Sequence, residues 1–208
     1  EIVPGYMLQV GFMGSTGGLT ALAENRVDLA GCHLWDEESD TYNVPYLLRL
    51  LPGRRLARVT LAYRRLGLIL PAGNPDGVSG LLDISRSGLR FINRQAGSGT
   101  RVWLDAKLRR LGISPRSIAG YQDERATHSE IARVIAEGDA RAGLGLEAAA
   151  RAFGLAFIPL TRERYDLVMS ESFYLLPAMQ KFVGWLGSQG QQAFSGLVGY
   201  ETGETGQS

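Results

Sequence analysis

Leu89-Arg90-Phe91-Ile92-Asn93-Arg94-Gln95-Ala96-Gly97-Ser98-Gly99-Thr100-Arg101 decides the class of this fold. Leu89 to Asn93 reads as a short strand, Gly97-Ser98-Gly99 breaks it, and the apolar spacing from Thr100 to Leu111 predicts a helix stopped by Gly112. A strand that passes through a glycine and hydroxyl turn into a helix is the unit from which α/β proteins are built. Such a turn also gathers free amides, the positive end of a helix dipole, the Ser98 and Thr100 hydroxyls and an arginine, so that all can converge on one anion. Gly97 and Gly99 let backbone come close to it. In the plainer reading Ser98 only caps the helix, and Arg94 and Arg101 are solvated charges.

The same design recurs outward from this segment. Gly14-Ser15-Thr16-Gly17-Gly18 follows a strand-like run from Tyr6 to Phe12 and opens a helix that closes near Asn25. Thr127-His128-Ser129-Glu130 has the capping-box pattern and opens a third helix, ended by Gly138. Val27 to Cys32, Val59 to Leu70, Ala142 to Leu146 and Leu155 to Leu160 read as further strands, with helices over Ala178 to Leu186 and Gln191 to Leu197. Ligands of open α/β sheets bind beyond the carboxyl ends of strands, where helix N-termini collect. Ser15, Thr16, Arg94, Ser98, Gly99, Thr100 and Thr127 are therefore the candidate anion contacts, with Arg101 beside them. The tail from Thr202 to Ser208 has nothing apolar to bury and is expected to be disordered.

Composition excludes several functions. Lys and Arg number 22 against 21 Asp and Glu in 208 residues, which leaves no basic footprint for direct nucleic-acid contact. No apolar run approaches a membrane span, and the chain starts at Glu1 without a leader pattern, so a membrane role is not expected, and a piece of something longer or a processed product is. Two histidines without clustered Cys, Asp or Glu predict no metal, and no cofactor is expected. There is no Gly-x-Ser-x-Gly elbow and no carboxylate pair at useful spacing. Neighbours on a strand face opposite ways, so Cys32 and His33 do not form a nucleophile and base pair, and the chain is expected not to be an enzyme. The three tryptophans read as packing.

Several stretches are recognisable together. Val10 to Leu19, Asp28 to Leu34, Tyr42 to Tyr46, Gly67 to Leu70 with Gly73-Asn74-Pro75, Phe91 to Arg101, Thr127-His128, and Phe157 to Leu160 before Tyr165 to Val168 resemble the bacterial and archaeal PBP-like domain. That family is described as a substrate-binding domain of molybdopterin-biosynthesis (MoeA-like) or LysR-like proteins, and is similar to molybdate and tungstate solute-binding proteins. The resemblance implies an α/β, type II periplasmic-binding-protein-like fold of two lobes with a ligand cleft between them. It implies a cytoplasmic setting and fusion to a DNA-binding or molybdopterin-related domain. The lobes expected are residues 1–65 with 172–208, and 67–164.

Phosphate binders of this kind place an acid between the arginine and the Ser-Gly-Thr. Gln95, Ala96 and Gly97 stand there instead, which favours a fully deprotonated oxyanion such as molybdate or tungstate. The alternative ligand is an organic metabolite, a pterin or a carboxylate, lined by His33, Trp35 and Tyr165. Family members carry a further strand and helix ahead of this segment. Without them Val27 to Cys32 would expose a sheet edge, so a homo-oligomer is expected.

Overall fold

A computed structural model describes residues 7–86 and 88–208, and the chain alternates helix and strand throughout. In order come α1 (Gly14–Ala23), β1 (Leu29–Cys32), β2 (Trp35–Asp36), β3 (Thr41–Tyr42), α2 (Val44–Leu50), the long β4 (Leu56–Leu70), β5 (Phe91–Arg94) and α3 (Gly99–Arg110). After them come β6 (Glu124–Arg125), α4 (His128–Ala136), β7 (Ala142–Leu146), α5 (Glu147–Ala152) and the second long strand β8 (Ala156–Ser170). Short α6 (Glu171–Tyr174), α7 (Pro177–Trp185), α8 (Gln191–Ser195) and β9 (Tyr200–Glu201) complete it. The fold is α/β, of the type II periplasmic-binding-protein-like class.

Two compact units divide the chain. One comprises residues up to Tyr63 together with Arg164–Ser208, the other Arg64–Glu163. Residues 164–171 thus belong to the first unit, and the boundaries fall inside β4 and β8, the two extended stretches that pass from one unit to the other.

In the second unit β4 pairs antiparallel with β7, and β7 and β6 flank β5 in parallel. Parallel neighbours need crossover helices, and α3 and α4 supply them. Ile69 of β4, Ile92 of β5 and Ile131, Ala132 and Ile135 of α4 form a buried core, with Ala149, Ala150 and Leu155 closing it. Glycine is required where layers touch: a Cβ at Gly67 would sit 2.1 Å from the Ile158 carbonyl, and one at Gly143 would sit 2.6 Å from Ile131.

In the first unit β1 pairs antiparallel with β8, Cys32 opposite Asp166. Val59, Leu167, Met169 and Leu186 make its second core, against which Phe182, Trp185 and Phe194 pack. β1 ends the strand order on this side, and β8 alone is its neighbour among the described residues.

Two expectations fail here. Residues 7–13 form no strand and are exposed, Met7, Leu8 and Phe12 almost fully, while Tyr6 lies outside the described residues. Alternating apolar residues give a strand only where another strand accepts their amides, and residues 7–13 have none among those described. The tail is ordered. Thr205 is buried and donates its hydroxyl to the Leu61 carbonyl at 2.7 Å, Gly206 N donates to Thr60 O at 2.9 Å, and Thr60 N donates to Gln207 O at 2.9 Å. With β9 it lies along β4 as an added edge. Backbone pairing needs no apolar side chain, so composition alone misread it.

Gly206 adopts φ +83°, and a Cβ there would meet the Gly187 backbone nitrogen at 2.6 Å. Gly206→Ala should therefore cost roughly 2 kcal/mol in urea unfolding followed by circular dichroism.

Candidate functional site

The carboxyl ends of the parallel strands β5 and β6 deliver the chain into the N-termini of α3 and α4, and the candidate residues of the second unit lie there. Gly97 takes φ +79° to make the turn. Ser98, fully buried, caps α3 by accepting the Arg101 amide at 3.2 Å. Gly99 opens the helix, and Thr100 follows with 1% of its surface exposed. Its hydroxyl has no hydrogen-bond partner among the described residues. A buried hydroxyl left unsatisfied costs about 1–3 kcal/mol, so one at a helix N-terminus is a polar group that the helix itself does not use.

Arg94 ends β5 and is buried. Its Nη2 donates to the Ala126 carbonyl at 2.7 Å, its Nε to the Arg125 carbonyl at 3.3 Å, and its Nη1 to His128 Nε2 at 2.8 Å. A guanidinium can only donate, so His128 accepts through Nε2 and carries its proton on Nδ1. Burial pushes the Arg94 guanidinium down to about 10, Glu163 pulls it up and Arg64 pushes it down again, which leaves it charged near neutrality. Arg64 and Glu163 are themselves an ion pair, both buried.

Arg101 serves differently. It donates to Asp105 at 2.9 Å, Glu124 at 2.7 Å and the Arg94 carbonyl at 3.3 Å, and stacks on Tyr121 with its Cζ 4.4 Å from the ring centre. Burial lowers its proton affinity, but Asp105 and Tyr121 more than restore it. It braces the loop and is committed to protein partners. Glu124 is the residue that sequence spacing missed: its Oε2 accepts the Ala96 amide at 3.3 Å. Its carboxylate reaches the turn from β6, across a strand pairing no linear motif displays. Thr127 is a complete capping box. Its N and Oγ1 donate to Glu130 at 2.8 and 2.9 Å and its Oγ1 accepts the Glu130 amide at 3.1 Å; the Thr127 hydroxyl bond holds that carboxyl below its usual range.

The first unit holds the rest. Ser15, buried in the first turn of α1, accepts the His33 amide at 3.2 Å, and Thr16 beside it is half-buried. No side chain caps α1. The His33 and Tyr165 rings meet edge to face at 5.6 Å, and Tyr165 covers Gly31, where a Cβ would strike its hydroxyl. Trp35 is buried and donates to Asp40 at 2.9 Å. Cys32 is fully buried; burial first, then Asp166, pushes its thiol well up, with Arg58 opposing. Recesses of about 340 Å³ by Arg54 and Phe173 and about 660 Å³ by Arg90 and Arg116 are lined by none of the candidate residues. No group of three or more His, Cys, Asp or Glu is arranged for a metal among the described residues, and no helix there is long and apolar enough to cross a membrane.

A family model described as the PBP superfamily domain matches residues 2–187. An uncharacterized protein of Bacillus subtilis (strain 168), YvgK, is 37% identical over 197 residues, 94% of this chain and 63% of that protein. The chain thus spans less than two thirds of that relative's length. Among solved structures, a putative phosphate ABC transporter substrate-binding protein with bound phosphate from Clostridium perfringens superposes with TM-score 0.58 at 14% identity, over 88% of this chain and 82% of that one. The CcmR regulatory domain of Synechocystis PCC6803 in complex with 2-PG gives 0.59 at 16% identity, over 83% and 77%. At these identities the likeness is one of fold.

Thr100→Val removes the unsatisfied hydroxyl and keeps the shape. Without ligand it should be neutral or raise stability by up to about 1 kcal/mol in thermal unfolding, the reverse of the usual sign for a buried hydrogen-bonded threonine.

Proposed function

Because this chain belongs to the PBP superfamily, we propose that it is a small-ligand-binding domain that holds a compact oxyanion at the second unit's paired helix N-termini. The Thr100 hydroxyl carries this reading: it is buried, without a partner among the described residues, and set beside the first amides of α3. Thr100 and those amides would bind the anion, Arg94 would supply the charge, and Ser98 and Arg101 would keep the turn in place. Molybdate and tungstate remain the first candidates. Glu124 on the Ala96 amide adds hydrogen phosphate to them, since a carboxylate beside the turn suits an anion that carries a proton. In the first unit the uncapped α1 with Ser15 and Thr16, and the His33 and Tyr165 rings, support a second reading, an organic ligand bearing an acid group.

We read the domain as binding without catalysis, in the cytoplasm, within a longer regulatory or molybdopterin-related protein. Cys32 supports the first part, because a deeply buried thiol pushed upward is a poor nucleophile. Iodoacetamide at pH 7.5 should label it only after denaturation, and rapid labelling of the native protein would revive an enzyme.

Calorimetric titration with molybdate, tungstate, sulfate and phosphate tests the oxyanion. At least one should bind, and Thr100→Val should weaken it about tenfold, in line with the loss of a hydrogen bond to a charged group. Absence of heat from all four, with binding of an organic acid, would transfer the assignment to the second reading.

A further inference from the structure

We propose that His128 is part of the anion site and couples binding to proton uptake: neutral, it holds Arg94; protonated, it releases that arginine and becomes a second donor to the bound anion. This rests on the reading that an oxyanion occupies the second unit's helix N-termini. The geometry is a buried guanidinium whose Nη1 is spent on an imidazole nitrogen at 2.8 Å, at the first residue of α4. Both other guanidinium nitrogens are fixed on the Arg125 and Ala126 carbonyls, which hold the group in place whatever happens at Nη1.

That bond exists only while Nε2 keeps its lone pair. Protonating His128 with nothing bound would set an imidazolium against a guanidinium in a part-buried place, which Coulomb repulsion disfavours. A bound dianion reverses the balance. It accepts from Arg94 Nη1 and from the new Nε2–H together, and the proton comes from solvent. Proton and anion therefore arrive as a pair, and the free site stays closed by its own hydrogen bond.

The charges around the pair do not supply this coupling by themselves. Arg64 and Glu163 pair with each other, Glu130 on the same helix is bound to Thr127, and Glu124 across β6 is bound to Arg101 and Ala96. Each of these acids has a protein partner of its own. His33 lies in the first unit.

Sulfate is the probe because it stays fully ionised across the window. Titrated calorimetrically from pH 8 to pH 6, its affinity should rise by as much as about tenfold per pH unit, with about one proton taken up per sulfate when buffers of different ionisation heat are compared. In His128→Gln, whose side-chain oxygen still accepts from Arg94 but cannot titrate, the slope and the proton uptake should vanish. A slope that persists in this variant overturns the assignment of the proton to His128. Nitrogen-15 spectra of the histidine rings give a second readout on the unaltered protein: at pH 7.5 His128 should be protonated on Nδ1 alone, and on both nitrogens once sulfate is added. Sulfate binding with a flat pH profile, or a His128 ring unchanged by sulfate, overturns the coupling and leaves the oxyanion site standing. No sulfate binding at any pH overturns the coupling, and the oxyanion site falls with it only if molybdate, tungstate and phosphate also fail to bind.

Discussion

The second unit depends on a charge taken out of water. Burying a guanidinium is expensive unless its donors are answered, and Arg94 is answered by two carbonyls and an imidazole from the segment between β6 and α4. Those partners are available only because β6 lies parallel to β5 and ends level with it, Arg94 opposite Arg125. The arginine thus ties the two strand ends together, and with them the two helices whose N-termini form the proposed site. Arg101 and Glu124 repeat the link from the other side, one holding the Arg94 carbonyl and the other the Ala96 amide.

Much of this was readable in the chain. The glycine and hydroxyl turn before α3, the capping box at Thr127 and the left-handed stops at Gly112 and Gly138 are local, and local chemistry is visible in sequence. What escaped depends on pairing between distant segments. Tyr6 to Phe12 had the alternation of a strand, but alternation says nothing of whether a partner edge is present. Thr202 to Ser208 had no apolar side chains, yet its backbone found the open edge of β4. Glu124 stands 28 residues from Ala96, and only the β5 and β6 register brings its carboxylate to the turn. Arg101 looked like a ligand contact for the same reason: its partners Tyr121 and Glu124 lie on another segment.

The two units differ in what the polar groups around their buried charges leave over. Asp166 in the first unit is fully buried and completely answered, by the Asn43 amide at 2.8 Å, Arg164 at 2.9 Å and Arg58 at 3.4 Å. Asn43 in turn accepts the Leu34 amide and adopts φ +67° to do so, which fastens the turn after His33 to β8. Nothing in that set is left over for a ligand, and it reads as architecture. The turn before α3 does leave something over, the Thr100 hydroxyl.

That contrast gives a criterion more useful than the motif. Ser98, Thr100 and Thr127 are all small hydroxyl residues at helix starts, and sequence gives them equal claim. Ser98 accepts the Arg101 amide and Thr127 is saturated by Glu130, so both are consumed by the helices they begin. Thr100 sits inside the first turn, past the capping position, where its hydroxyl cannot satisfy the amides ahead of it. A polar group that the fold buries and does not use carries a standing cost, and a fold keeps such a cost where a bound partner removes it. The residue whose hydroxyl has no hydrogen-bond partner among the described residues is for that reason the one on which the functional reading rests.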